Sequence, residues 1–392
     1  MTDQLMKSFN LSGSALGNLS AFYFYSYVAM QIPTGLLADH WGPRRLQSAG
    51  ALVAAIGSFF FALGPTFGWV ALGRFLIGGA VGVAYVSLLK VAAHWFPSQR
   101  FAAISGLALL AGIIGAVTAG PPLRYLVEMF GWRAVMFGSG LFTLAVAVGI
   151  YIFVRDDPRE RGYAGFVSID PSFSRASVGM LAGLKQVFRY RNTWLLALAP
   201  SGIVGPVLAF SGLWGVPYLT QRFDLSPAQS SMVTSSLLVS WAVSGPVLGA
   251  LSDRIRKRKP LYLWGAVAAL VGWYAAIYIP GLPLWIVVAI LIIVGFGAGG
   301  MIIGFAFAKE SVPSHLAGTV SGVCNMGVMM GPMIMQPLMG MILDRNWTGA
   351  LHNGVRVYSV EAYKSAFWVA IVWGALAIMI LSIASETHCK QR

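Results

Sequence analysis

Charge is what this sequence has least of. Only 10% of its 392 residues are Asp, Glu, Lys or Arg, where a soluble domain carries about 25%. With 57% hydrophobic residues and a mean hydropathy of +0.72, the chain has too few polar side chains to clothe a water-facing surface. Lipid must be its solvent. Acids are scarcest, 13 against 27 Lys and Arg, and none sits in the middle of an apolar segment. Two cysteines, Cys324 and Cys389, exclude a disulfide framework and a cysteine metal site. No G-x-x-x-x-G-K-[ST] occurs, which excludes ATP-driven work by this chain. Neither a Ser/His/Asp set nor a cluster of metal ligands is visible, so no enzyme, cofactor or metal is expected. The first ten residues have no signal-peptide pattern. The formal charge of +14 does not indicate nucleic acid, because the cations lie in loops between apolar segments and form no stripe on a soluble domain.

What is present is a series of apolar segments near 15–37, 47–65, 69–93, 101–124, 134–154, 192–221, 229–251, 261–279, 284–308, 316–343 and 365–385. They lack period-two alternation, and a backbone in lipid must satisfy its own polar groups, so they are expected to be helices. Lys and Arg fall unevenly between them. One set of alternate loops holds 18, the other 7, and Arg74 and Lys90 remain inside segments. The richer side is cytoplasmic by the positive-inside rule. That makes the chain a multi-pass protein of the cell (inner) membrane, with a cytoplasmic C-terminus and, after eleven crossings, an outer N-terminus.

The longest connection, residues 155–191, divides the chain into an N-terminal bundle over 1–154 and a C-terminal bundle over 192–392. Within the connection, Met180, Leu181, Leu184 and Phe188 share a face opposite Lys185 and Arg189, which predicts a short helix at the membrane surface. The bundles are copies of one another. Phe9-Asn10-Leu11-Ser12 recurs as Phe223-Asp224-Leu225-Ser226, and Gly35-Leu36-Leu37-Ala38-Asp39 as Gly249-Ala250-Leu251-Ser252-Asp253, both at an offset of 214. Parallel repeats of this kind build transporter folds. The second copy has one helix, 192–221, with no counterpart in the first. Eleven helices of a twelve-helix design are therefore expected, with the first missing from this sequence.

Gly35-Leu36-Leu37-Ala38-Asp39-His40-Trp41-Gly42-Pro43-Arg44-Arg45 resembles the signature loop of the major facilitator superfamily. Gly249–Lys259 is its weaker second copy, with Arg256 in place of the central glycine. Arg74-Phe75-Leu76-Ile77-Gly78-Gly79 is similar to the family's fourth-helix motif. Gln31-Ile32-Pro33-Thr34-Gly35 and Trp95-Phe96-Pro97 resemble prokaryotic organic-anion and sugar-acid porters, whereas Trp214-Gly215-Val216-Pro217-Tyr218 resembles relatives of lysosomal dipeptide transporters. The resemblance implies an all-α membrane fold of two pseudo-repeated bundles. It also implies transport of a small polar or anionic solute by alternating access, as uniport or coupled to an ion. Dipeptides or amino acids are the alternative substrate class. A non-transporting receptor or scaffold, or an inert truncated product, would keep the fold without the activity.

Particular residues then acquire expected roles. Arg74 is a charge well inside a segment, costing at least about 2.5–3.5 kcal/mol to insert, so it should face a cavity or a partner, with Tyr85 on its face. The bland alternative is an arginine snorkelling to the interface. Polar residues at helical spacing mark candidate cavity walls: Tyr23, Tyr27 and Gln31 on one helix, and Ser240 on its repeat partner. Ser211, Trp214 and Tyr218 mark a third helix and Asn325 a fourth. Hydrogen bonding between helices explains any one of these equally well. In the family the signature loops latch one conformation. That assigns Gly35, Asp39, Arg44 and Arg45, and in the second copy Gly249, Asp253 and Arg258, to a conformational latch. Proton coupling usually needs a buried titratable group, and the surviving segments offer none. Such a group would belong to the missing helix, or transport proceeds without it.

Overall fold

A computed structural model describes residues 2–96, 104, 107, 111–112, 114–116, 118–163, 180–313, 316–352 and 354–390, without the side chains of 35, 36, 39, 89, 93 and 180–182. The elements are α1 (Thr2–Phe9), α2 (Gly13–Trp41), α3 (Pro43–Leu63), α4 (Phe67–Val81), α5 (Ala84–Trp95), α6 (Pro121–Phe153) and α7 (Met180–Val187). There follow α8 (Arg191–Ile203), α9 (Gly205–Ala209), a π-helical turn (Phe210–Trp214), α10 (Gly215–Phe223), α11 (Pro227–Ile255), α12 (Lys259–Tyr278) and α13 (Leu284–Ala298). The chain continues through α14 (Met301–Glu310), α15 (Ala317–Arg345), a hairpin of β1 (Leu351–His352) and β2 (Val355–Arg356), and α16 (Val360–Ser382).

Among the described residues, nine helical spans are long and apolar enough to cross a membrane. The expected count of eleven is not reached, for two physical reasons. The segment expected at 15–37 forms the 29-residue α2, but Ser20, Tyr23, Tyr25, Ser26, Tyr27 and Gln31 dilute its hydropathy. The segments expected at 101–124 and 134–154 fall within one span, Ile114–Phe153, broken at Gly131 (φ 78°). Part of 101–124 lies outside the described residues.

The repeat read from sequence is present in the backbone. Both ends of α2 and of α11 differ by 214, and both ends of α4 and of α13 by 217. The packing repeats as well. A Cβ on Gly78 would strike the carbonyl of Tyr23, and a Cβ on Gly295 would strike that of Leu237. These two pairs are related by the same offsets, so in each copy a glycine lets the fourth helix of its half close directly onto the backbone of α2 or α11.

Two compact units emerge: Met1–Ala21, Val117–Tyr125 and Gly183–Arg392 in the first, Phe22–Ala116 and Leu126–Ala182 in the second. The first has a core of large buried side chains, including Trp214, Tyr218, Tyr262, Phe307 and Phe367. Its helices close through glycines: a Cβ on Gly265 would lie 2.7 Å from the Gly297 carbonyl, and one on Gly205 2.8 Å from the Gly331 Cα. In the second unit α3 and α4 meet in the same way, with a Gly57 Cβ 2.8 Å from the Gly73 carbonyl. In the connecting segment, α7 buries Val187, leaves Leu184 half-buried and exposes Lys185.

Candidate functional site

Arg74 lies on α4, two turns inside an apolar span, and is half-buried. Its guanidinium carbon sits 5.4 Å from the centroid of the Tyr23 ring. Tyr23 in turn stacks on Tyr27, with centroids 6.0 Å apart and planes at 27°. Gly78, one turn along α4, fixes this arrangement, because it allows α2 to approach at Tyr23 itself. Among the described residues no carboxylate stands within ion-pair distance of Arg74. An aromatic face stabilises a desolvated cation by about 2 kcal/mol or more, but carries no compensating negative charge. It leaves the five guanidinium N–H donors unused. Arg74 is therefore a held but chemically unsatisfied cation, suited to an anion.

The other expected wall residues divide. Tyr23, Tyr27 and Gln31 are half-buried on α2, and of these Tyr23 meets the cation. Tyr85 lies on α5, past the turn at Gly82 and Val83, and is 44% exposed. Trp214 and Tyr218 are core residues, each 1% exposed. The Trp214 indole donates to the Gln336 carbonyl at 3.1 Å. The Tyr218 hydroxyl accepts from Arg222 at 2.6 Å, and its ring packs on Phe210, Tyr363 and Phe367. Ser211 donates to Val207 O on the preceding α9 at 2.6 Å, and Ser240 to Ile292 O at 2.6 Å across a helix interface. Asn325 is half-buried on α15.

The two signature loops are wired differently. At the first, Gly42 adopts φ 77°, ψ 151°, a region open essentially only to glycine, and a Cβ there would meet the Asp156 carboxylate. Asp156 accepts from the backbone N–H of Arg44 at 2.6 Å, capping the N-terminus of α3 where the helix dipole favours an anion. Arg44 directs its guanidinium to the Tyr151 carbonyl, at 2.9 and 2.6 Å, and over the Tyr151 ring at 4.6 Å. Its charge thus complements the C-terminal end of α6. Arg45 is exposed. The backbone of Gly35 and Asp39 is part of α2, while the Asp39 side chain lies outside the described residues.

In the second loop Arg256 takes φ 52°, ψ 38°, the left-handed region that an L-residue can enter at a cost of about 1–2 kcal/mol. That explains why a non-glycine is tolerated here and not at Gly42. Arg258 is 6% exposed and joins three partners: Asp253 Oδ1 at 2.6 Å, Glu310 Oε1 at 2.6 Å and Ser252 Oγ at 2.9 Å. Burial lowers its pKa, but the bonds to Glu310 and Asp253 outweigh burial and hold it above the ordinary arginine value. Gly249, one turn before Asp253 on α11, is loosely covered by Ile302 at 3.8 Å.

Glu386 completes this end. It accepts from the backbone N–H of Arg258 at 3.0 Å and of Lys259 at 2.8 Å, capping α12 as Asp156 caps α3. Burial raises its pKa, yet four backbone N–H groups lower it further, to a net value below the usual 4.5. A depressed carboxylate stabilises the fold above its unfolded pKa, and that contribution is lost as pH falls through the folded value. Glu386→Gln should therefore lower the melting temperature at pH 7, with the difference from wild type shrinking as the pH falls below 4.5. Melting both forms across pH 3–7 checks it.

Sequence reasoning missed Asp156, Glu310 and Glu386 as partners. Their signal was positional: Asp156 and Glu386 each stand three or four residues past the last helix of their half.

Comparison with known proteins agrees with this architecture. The profile of the Major Facilitator Superfamily matches residues 1–214 and again 207–388, one match per repeat. The "Probable galactarate/D-glucarate transporter GudP" of Bacillus subtilis (strain 168) is 24% identical over 407 residues, covering 97% of this chain and 88% of that protein. Its namesake in Escherichia coli (strain K12) is 20% identical over 385 residues, covering 91% and 84%. The crystal structure of a bacterial homolog of the human lysosomal transporter Spinster, inward-facing and unoccupied, superposes with a TM-score of 0.75 at 18% identity. It covers 97% of this chain and 91% of that one. With two profile matches spanning nearly its whole length, this multi-pass membrane chain belongs to the Major Facilitator Superfamily.

Proposed function

We propose that the chain is a secondary transporter of a small carboxylate solute of the sugar-acid class. The observation that carries this reading is Arg74, a cation inside an apolar span whose aromatic neighbour holds it without neutralising it. A solute carboxylate supplies the missing charge, and the fork of the guanidinium binds it bidentately. The relatives named for galactarate and D-glucarate support the same class. The bundles over 1–154 and 192–392 alternate access to the site. The chain lies in the cell membrane with its C-terminus and the Arg258 network on the cytoplasmic side, where the 18 of 27 Lys and Arg fall.

Cells producing the chain should take up labelled D-glucarate faster than control cells, with unlabelled galactarate competing and neutral glucitol failing to compete. Equal competition by glucitol would remove the carboxylate from the account. The signature loop acts as a latch in this reading. Asp39→Asn should then slow turnover and change solute affinity far less, because conformational steps often limit the rate of such proteins. Initial uptake rates at varied D-glucarate separate the two parameters.

A further inference from the structure

The connection between α7 and α8 is a compact corner that carries three cations. Its backbone is held by bonds from the N–H of Phe188 to Leu184 O, of Arg189 to Gln186 O and of Tyr190 to Val187 O, each at 3.1 Å. α7 is seated by its small side: Val187 is fully buried, and a Cβ on Gly183 would lie 3.5 Å from Thr319 Oγ1 at the start of α15. The Trp194 indole donates to Phe188 O at 2.9 Å, and its ring centroid lies 4.4 Å from that of Phe188. The first turn of α8 is thereby tied to the same corner. Lys185, Arg189 and Arg191 project from it, and all three are exposed.

No Asp or Glu occurs between Asp170 and Asp224. Folding brings two carboxylates towards this corner, because Asn192 donates to Ser311 Oγ and to Ser385 O, both at 2.9 Å. Each neighbouring acid is engaged elsewhere. Glu310 binds Arg258 and Thr387, and Glu386 caps α12 through the N–H groups of Arg258 and Lys259. Among the described residues, no side-chain hydrogen bond or ion pair engages Lys185, Arg189 or Arg191. The exposed stripe of α8 then runs Arg191, Trp194, Leu198, along a membrane span that begins at Arg191. A cation, an indole and an aliphatic side chain in that order match the phosphate, the interface and the acyl chain of a bilayer. The positive-inside rule accounts for cations in a loop; it does not require them to gather beside an exposed aromatic anchor.

We propose that this corner binds an anionic phospholipid, with its phosphate among Lys185, Arg189 and Arg191 and an acyl chain along Trp194 and Leu198. The planar fork of a guanidinium suits phosphate, and each basic residue at an anionic membrane surface strengthens binding roughly fivefold. Because the cations are exposed, the attraction weakens as ionic strength rises.

Native mass spectrometry of the purified full chain tests this, with phosphatidylglycerol or phosphatidylcholine of the same acyl chains added to the detergent. The wild type should retain phosphatidylglycerol in preference, and raised ammonium acetate should reduce that preference. Lys185→Gln, Arg189→Gln and Arg191→Gln together should weaken phosphatidylglycerol binding at least about tenfold. Lys185→Arg, Arg189→Lys and Arg191→Lys together, which keep the charges, should retain it. Arg254→Gln, Lys257→Gln and Lys390→Gln remove three exposed cations elsewhere in the first unit and should leave it unchanged. If the neutralised triple variant is not recovered folded, Arg191→Gln alone supplies the comparison, with a loss of roughly fivefold expected. Equal losses from the two neutralised sets would mean that lipid reads net charge alone, and would overturn the site. Equal retention of phosphatidylcholine, or displacement of the lipid by an equal concentration of inorganic phosphate, would overturn it as well.

Discussion

Arg74→Lys should lower affinity for D-glucarate ten- to a hundredfold, although the charge is kept. A bidentate, charge-assisted contact is worth about 1.5–3 kcal/mol, and an ammonium cannot reproduce the planar fork. The cation over Tyr23, at 5.4 Å in the wild type, is available to lysine as well as to arginine. Loss of affinity would therefore report on the anion and not on the ring. Arg74→Ala should be worse still, since it removes the charge. If Arg74 only snorkels to the interface, lysine snorkels equally well and transport should be near wild type. Kinetics of both variants separate the readings: lysine tolerated with alanine inactive would make the residue an anchor.

Glu310→Gln should destabilise the fold by on the order of 3 kcal/mol. The Glu310 carboxylate is 12% exposed and lies against an Arg258 side chain that is 8% exposed. Removing one partner of a buried pair leaves the other charge desolvated and poorly matched, a cost of about 3–5 kcal/mol. Asp253 is a built-in comparison. It meets the same guanidinium at 2.6 Å, but its side chain is 67% exposed, so Asp253→Asn should cost no more than about 1 kcal/mol. Thermal melting of the purified variants in one detergent compares them directly. Equal losses at the two positions would mean that Arg258 is not held by burial of its Glu310 pair.

The sequence made the repeat legible because a shared offset survives substitution: residues 214 apart still occupy equivalent helices, and even the carbonyls met by Gly78 and Gly295 correspond. Arg74 was legible because a cation in an apolar run stands out from its surroundings. The charge clusters were not. Asp156 lies 112 residues from Arg44, and Glu386 lies 128 from Arg258, and spacing in one sequence says nothing about contacts at that range. Trp214 and Tyr218 were misleading for a different reason. Four-residue spacing shows that two side chains share a face, but in a bundle rich in aromatics that face can turn inward to Phe210, Tyr363 and Phe367.

Transport itself separates a carrier of sugar acids from a receptor or scaffold that keeps the same fold. The purified chain should be reconstituted into proteoliposomes preloaded with unlabelled D-glucarate and diluted into a trace of labelled solute. A carrier that alternates access around an anion site gives transient accumulation of label inside, which is abolished when D-glucitol replaces D-glucarate. A flat trace indistinguishable from protein-free vesicles, from protein that still binds D-glucarate, would contradict the account.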